Sequence, residues 1–247
     1  MSAYADVALR RDTRFLSVAL LVIAAIVFAG FAPTFYLKAW FGTPPLTWLV
    51  HLHGALMTSW LILFLGQVLL AGAGRVAWHR RLGIVGTALA AAIVMVATAV
   101  AIRWAARESM QPTSEGPPPL QFMGFLLYAL LVYAVLVSSA LVLRRTKAYH
   151  KRLMLLSCFA LLGPGVFRLS FASMPMLDYL VKGGPGGVLG LDLLPMYACV
   201  AYDTWRNRRL HPAFLWGGLL LVSVDLPMVG WFLSSDAWDR VARWLIA

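Results

Sequence analysis

The chain has 247 residues, of which 61% are hydrophobic and only 13% charged, and it carries a formal net charge of +11. A soluble domain carries about a quarter charged residues, so this composition argues against a water-soluble fold and for an all-α protein that spans a membrane. Cys158 and Cys199, the only cysteines, fall inside apolar runs, which argues against a disulfide framework or a thiolate zinc site.

Residues 1–14 are polar and mildly basic and are expected to form a short cytoplasmic N-terminal segment. The first apolar run, 15–33, is long enough for a bilayer of about 30 Å at about 1.5 Å per residue. Its length favours an uncleaved span, with a cleavable leader ending near Ala29-Gly30-Phe31-Ala32-Pro33 as the alternative. An outer loop follows from Tyr36 to Pro45, and Pro44-Pro45 are expected to open the second span, 46–72. The third span, 82–105, is Ala-rich, with Gly86 and Ala90 forming a small-xxx-small face for close packing. A Gly-Pro-Pro-Pro run makes the loop 108–120 non-helical in its middle. The fourth span is 121–143. The fifth, 152–176, is expected to kink at Gly163-Pro164-Gly165. The loop Gly183-Gly184-Pro185-Gly186-Gly187 precedes a sixth span, 187–205, and the seventh is 213–233. No internal repeat stands out, and residues 1–247 read as a single seven-helix transmembrane domain.

This segmentation sorts the charge. One set of loops holds Arg10, Arg11, Arg14, Arg75, Arg80, Arg81, Arg144, Arg145, Lys147, Lys151, Arg152, Arg206, Arg208 and Arg209 against only Asp6, Asp12 and Asp203. The remaining cations and acids balance, so the whole excess lies on one face. Lys/Arg-rich loops stay cytoplasmic, which puts the N-terminus inside and the C-terminus outside. Trp78, Trp205 and Trp216 then fall near the inner interface, and Trp40, Trp48, Trp104, Trp231 and Trp238 near the outer one, as an aromatic belt requires. Topology thus accounts for the basic balance, and nucleic acid is not expected as a partner.

Ionisable groups inside a bilayer cost roughly 2.5–3.5 kcal/mol each on insertion scales and are candidates for function. His51 and His53 lie in the second span, Arg168 in the fifth and Asp225 in the seventh, all at outer-leaflet depth. Residues two apart on a helix differ by about 200°, so His51 and His53 do not ligate one metal from a regular helix. His53, Trp60 and Gln67 are spaced by seven and form one polar stripe expected to face the bundle interior. Arg168 and Asp225 have opposite sign at matching depth, which suggests an ion pair, either structural or part of an anion or proton site with His53. A second cluster lies inside: His79, His150, His211 and Asp203. These residues are a candidate nitrogen/oxygen metal site, but helix starts place polar residues at such positions anyway. Asp203 alternatively pairs with Arg206, Arg208 or a basic residue of another inner loop. The surrounding cations disfavour a metal there and suit anionic lipid headgroups. Preference therefore goes to the outer His53–Arg168–Asp225 region.

The stretch His51-Leu52-His53-Gly54-Ala55, followed by Gln67 and His79-Arg80-Arg81-Leu82-Gly83, resembles a family of bacterial integral-membrane proteins of unknown function. His150-Lys151-Arg152-Leu153-Met154, Arg168, Tyr202-Asp203, Arg209-Leu210-His211-Pro212 and Trp216-Gly217 continue the likeness over residues 46–217; Asp225 has no match in it. The resemblance implies a polytopic helical bundle in a bacterial cytoplasmic membrane and no particular activity.

No catalytic residue is assigned, because no nucleophile–base pair or nucleotide loop is present. The first expectation is a non-enzymatic accessory or assembly subunit of a membrane complex, or a small transporter with a buried His/Arg/Asp site. The second is a haem- or metal-binding redox protein. A haem iron is clamped by two histidines on different spans at one depth, and here the outer pair shares one span while the inner ones lie near span ends. The third is a zinc-dependent membrane hydrolase, which needs three ligands and a separate base.

Overall fold

The computed structural model describes residues 3–111, 118–173 and 193–247, and every regular element among them is helical. Five helical stretches are long and apolar enough to cross a membrane: Leu9–Tyr36, Trp48–Gly72, Val76–Met110, Pro119–Val142 and Lys147–Leu169. Large apolar side chains sit exposed along them, among them Ile62, Ile84, Met95, Leu131 and Val142. In water such faces would be aggregation-prone; in hydrocarbon they are solvated. The chain divides into two compact units, Met1–Ile93 and Val94–Ala247.

In the first unit, α1 runs Ala3–Phe31 and passes into a π-helical turn, Ala32–Tyr36. The segment expected as a polar lead-in is thus helical from residue 3, continuous with the first span. A short α2 (Lys38–Phe41) fills the loop and ends on Gly42 with φ 60°, the left-handed geometry glycine adopts without a Cβ clash. The helix α3 (Trp48–Gly72) begins after the two prolines rather than on them. Pro44 and Pro45 lie in the linker, and Thr47 caps α3 by accepting from the Val50 N–H. The helices α1 and α3 pack antiparallel: Thr13 lies on Gly72 at one end and the Phe35 ring on Gly54 at the other. Ala19, Leu20 and Ile23 are buried on α1, and Leu49, Trp60, Phe64 and Val68 on α3. The next helix, α4 (Val76–Met110), is longer than the expected third span at both ends; its Gly86 meets Leu63.

In the second unit, α5 (Pro119–Val142) matches the expected fourth span within two residues. The fifth span is interrupted next to Gly163-Pro164-Gly165: α6 (Lys147–Phe159) ends, a turn follows at 160–162, and α7 (Gly163–Ser173) restarts within one membrane-length stretch. Pro164 thereby sits in a first turn, where its missing N–H costs nothing. The helix α8 covers Leu194–Asn207; the Gly183–Gly187 loop and the early part of the sixth span lie outside the described residues. The seventh span is also interrupted. The helix α9 (Pro212–Val222) tightens into a 3-10 turn, Ser223–Asp225, and α10 (Pro227–Leu233) follows. Leu226 is extended, at ψ 140°, as the residue before a proline prefers. A further helix, α11 (Asp236–Ile246), closes the chain. Tyr133, Leu136, Leu155, Leu156, Phe159 and Leu221 are almost wholly buried in this unit, and the absent side chain of Gly217 admits Leu156 and Leu136.

Candidate functional site: a buried ion pair

The clearest ionic centre lies where α6 begins and α8 ends. Arg152 is six residues into α6 and Asp203 five from the end of α8, so both sit about a turn inside their helices. Arg152 Nη2 donates to Asp203 Oδ1 at 2.7 Å and Oδ2 at 2.8 Å, and Nε donates to Oδ2 at 3.0 Å. The two side chains are each 7% exposed. The remaining guanidinium nitrogen, Nη1, donates to the Ala148 carbonyl at 2.9 Å, and Cζ lies 5.7 Å from the centre of the Phe214 ring. The planar fork of arginine suits this arrangement, because it pairs a carboxylate at two points while its charge lies over an aromatic ring. Asn207 Nδ2 donates to the Asp203 backbone carbonyl at 2.7 Å and holds the last turn of α8.

His211 caps the next helix beside this pair. Its Nδ1 accepts from the Ala213 N–H at 3.1 Å, and its ring makes a T-shaped contact with Tyr149 at 4.7 Å between centroids. Burial, then Arg152, hold its pKa below the ordinary value of 6.5; Arg209 and Lys151 add to the depression and Asp203 opposes it. Neutral His211 therefore carries its proton on Nε2.

His79 and His150 share a different device. His79 Nδ1 donates to the Gln67 carbonyl of α3 at 3.2 Å, and His150 Nδ1 donates to the Ala140 carbonyl of α5 at 2.8 Å. Each histidine follows a tight helical hairpin and reaches back to the preceding helix. A carbonyl only accepts, so the Nδ1–H form is fixed in both rings. Both of the Asp203 carboxylate oxygens are taken by Arg152. Among the described residues no three His, Cys, Asp or Glu side chains group to hold a metal ion.

On α3, His51 is exposed and faces Phe35 at 6.1 Å between ring centres, whereas His53 is half-buried with Nδ1 enclosed. Trp60 is buried and Gln67 half-buried, with its Oε1 enclosed, so the stripe His53–Trp60–Gln67 turns inward. His53 belongs to the first unit, Arg168 and Asp225 to the second. Arg168 is exposed, and its Nη1 donates to the Pro164 carbonyl at 3.1 Å, within α7. Asp225 ends the 3-10 turn and is half-buried.

Arg152 is the member of the buried pair that sequence reasoning did not single out. By sequence it groups with the topogenic cations, since it stands directly before the apolar run that starts at Leu153; only the start of α6 at Lys147 puts it more than a turn inside a helix. The depth match with Asp203 was the available signal. By length and composition these helices are those of a multi-pass membrane protein, and the second unit carries a buried arginine–carboxylate pair at its core. The chain matches no family model, no curated protein and no solved structure.

Proposed function

We propose that this chain is a non-enzymatic, multi-pass membrane protein of a bacterial cytoplasmic membrane that works as a small transporter, with Arg152 and Asp203 as its charge site. The observation that carries the reading is the buried ion pair itself. Ionisable residues inside membrane helices are costly, and those retained mark ion or proton paths. A pair of this kind also has two states, since a competing ion or a proton on the carboxylate releases the arginine. The basic loops hold the N-terminus inside, the chain crosses seven times, and the C-terminus is outside. The same loops bind anionic lipid headgroups.

Reconstitution into vesicles loaded with a pH-sensitive dye tests this. The wild-type protein is expected to collapse an imposed pH gradient faster than empty vesicles, and D203N is expected to abolish the difference. No acceleration, together with a stoichiometric membrane subunit co-purifying in mild detergent, replaces the transporter with an accessory or assembly subunit.

One observation favours a second reading, a haem or metal redox protein. Donation of the Nδ1–H of His79 and His150 to backbone carbonyls is the orienting contact that ligating histidines use. A haem or metal held by either would supply electron transfer. A strong near-ultraviolet haem band or a stoichiometric metal in the purified protein supports this reading; a colourless, metal-free sample overturns it.

A further inference from the structure

The C-terminal helix α11 has three faces where an ordinary surface helix has two. Trp238, Ala242, Leu245 and Ile246 form the first, which packs on Ala101, Ala105, Met123, Leu120 and their neighbours. Trp238 Nε1 donates to the Leu120 carbonyl at 3.0 Å, and the Trp238 indole and Leu233 close over Gly124. The second face is apolar and uncovered: Ala237, Val241 and Trp244, spaced by four and three residues, are all exposed, Trp244 at 76%. The third is charged: Asp236, Asp239, Arg240 and Arg243, with Arg243 Nε donating to Asp239 Oδ2 at 2.7 Å. At about 100° per residue the charged and uncovered apolar faces lie roughly a third of a turn apart.

The position of the helix decides what meets the apolar face. Its anchor residues belong to the end of α4 and the first turns of α5, where two membrane-length helices leave the hydrocarbon. A helix anchored at that level and lying along the membrane surface would have protein on one side, water on another and the lipid boundary on the third. Just before it, α10 exposes Met228, Trp231 and Phe232, so the uncovered aromatic surface continues along the chain. Tryptophan favours the headgroup level, and an amphipathic helix lies in that plane with its apolar side sunk by about 5–10 Å. The four charges of α11 cancel, so no preference for anionic lipid is built in.

We infer that α11 is an interfacial anchor that seats Val241 and Trp244 in the headgroup region of the bilayer, without need of anionic lipid, at the membrane level where α4 ends and α5 begins. The inference rests on the membrane reading above. The test uses the full chain in phosphatidylcholine vesicles, with nitroxide labels on V241C, W244C, D236C and R240C, and on L131C in α5 as the reference for a lipid-facing span. Cys158 and Cys199 are buried, and unmodified protein supplies the background. Labels at 241 and 244 are expected to relax several-fold more with oxygen than with a water-soluble nickel chelate, at shallower depth than 131, while 236 and 240 favour the chelate. Equal chelate access at 240 and 244, or shielding of 241 and 244 from both reagents, overturns the anchor in favour of a solvated helix or a protein-covered one. Chelate access at 131 instead overturns the membrane reading itself.

Discussion

At the scale of single residues, His211 ties helix capping to charge. Its Nδ1 lone pair accepts the Ala213 N–H at the start of α9. Protonation removes that acceptor and places a cation at a helix N-terminus, where the dipole opposes it. Burial and the Arg152 guanidinium already hold its pKa down, with Arg209 and Lys151 in the same sense and Asp203 against. A histidine with a depressed folded-state pKa binds its proton more readily when unfolded. The stability it contributes is therefore complete above about 6.5, the ordinary histidine value, and is lost as pH falls from there through the lower folded value. His211→Asn keeps a capping oxygen and removes the titration. Thermal unfolding in detergent is expected to show a larger drop in Tm from pH 7.5 to about 5.5 for the wild type than for H211N. Equal drops in the two proteins would sink the assignment.

At the scale of elements, the sequence was most legible where apolar runs are long and end in plain signals. The α3 helix begins within two residues of its expected start, behind a threonine cap, and α5 runs from Pro119 into the Arg144-Arg145 turn. The breaks were harder to read. Gly163-Pro164-Gly165 announced a disturbance, but the helix ends at Phe159 and restarts at Gly163, because proline is tolerated in a first turn and not in the middle of a helix. Pro227 breaks the seventh run in the same way, yet a lone proline in an apolar run reads equally as a kink. By sequence, His79 and His150 stand out as candidate metal ligands beside cations, with no sign of the backbone contact that orients them. What singles them out is a contact ten or twelve residues back across a hairpin, and no helical periodicity encodes it. The Arg152–Asp203 pair joins residues 51 apart, so depth alone could have suggested it, and depth equally suggested Arg168 with Asp225.

At the scale of the whole chain, the open question is how many times residues 119–233 cross, and contacts within the second unit bear on it. The start of α6, the end of α8 and the start of α9 meet at one level through Arg152, Asp203, Tyr149 and His211. The start of α5 and the C-terminal α11 meet at another through Leu120 and Trp238. If these levels are the two faces of a bilayer, a chain that leaves the second at Leu120 and is back there at Trp238 crosses an even number of times. On the proposed seven-span reading, the crossings in this part of the chain are α5, α6 with α7, the expected sixth span that ends in α8, and α9 with α10. The last is the shortest, since Pro212–Asp225 is a shorter apolar helix, only about 21 Å long at 1.5 Å per residue. With α10 the run covers residues 212–233, which would reach about 33 Å if the two helices were collinear at helical rise, enough for the hydrocarbon core. If α9 instead dipped in and returned, α11 would emerge on the side of Arg152 and could not touch Leu120. The basic residues sort the same way, with Arg144, Arg145, Lys147, Arg208 and Arg209 all on the level of the ion pair. Seven crossings therefore predict a definite reporter pattern. A phosphatase fused after Ala247 is expected to be active outside the cytoplasm, and one fused after Arg145 inactive. A fluorescent protein that folds only in the cytoplasm is expected to give the reverse. A C-terminal fluorescent fusion as bright as the fusion after Arg145 would mean that α9 and α10 do not cross, and the seven-span reading would fall to six.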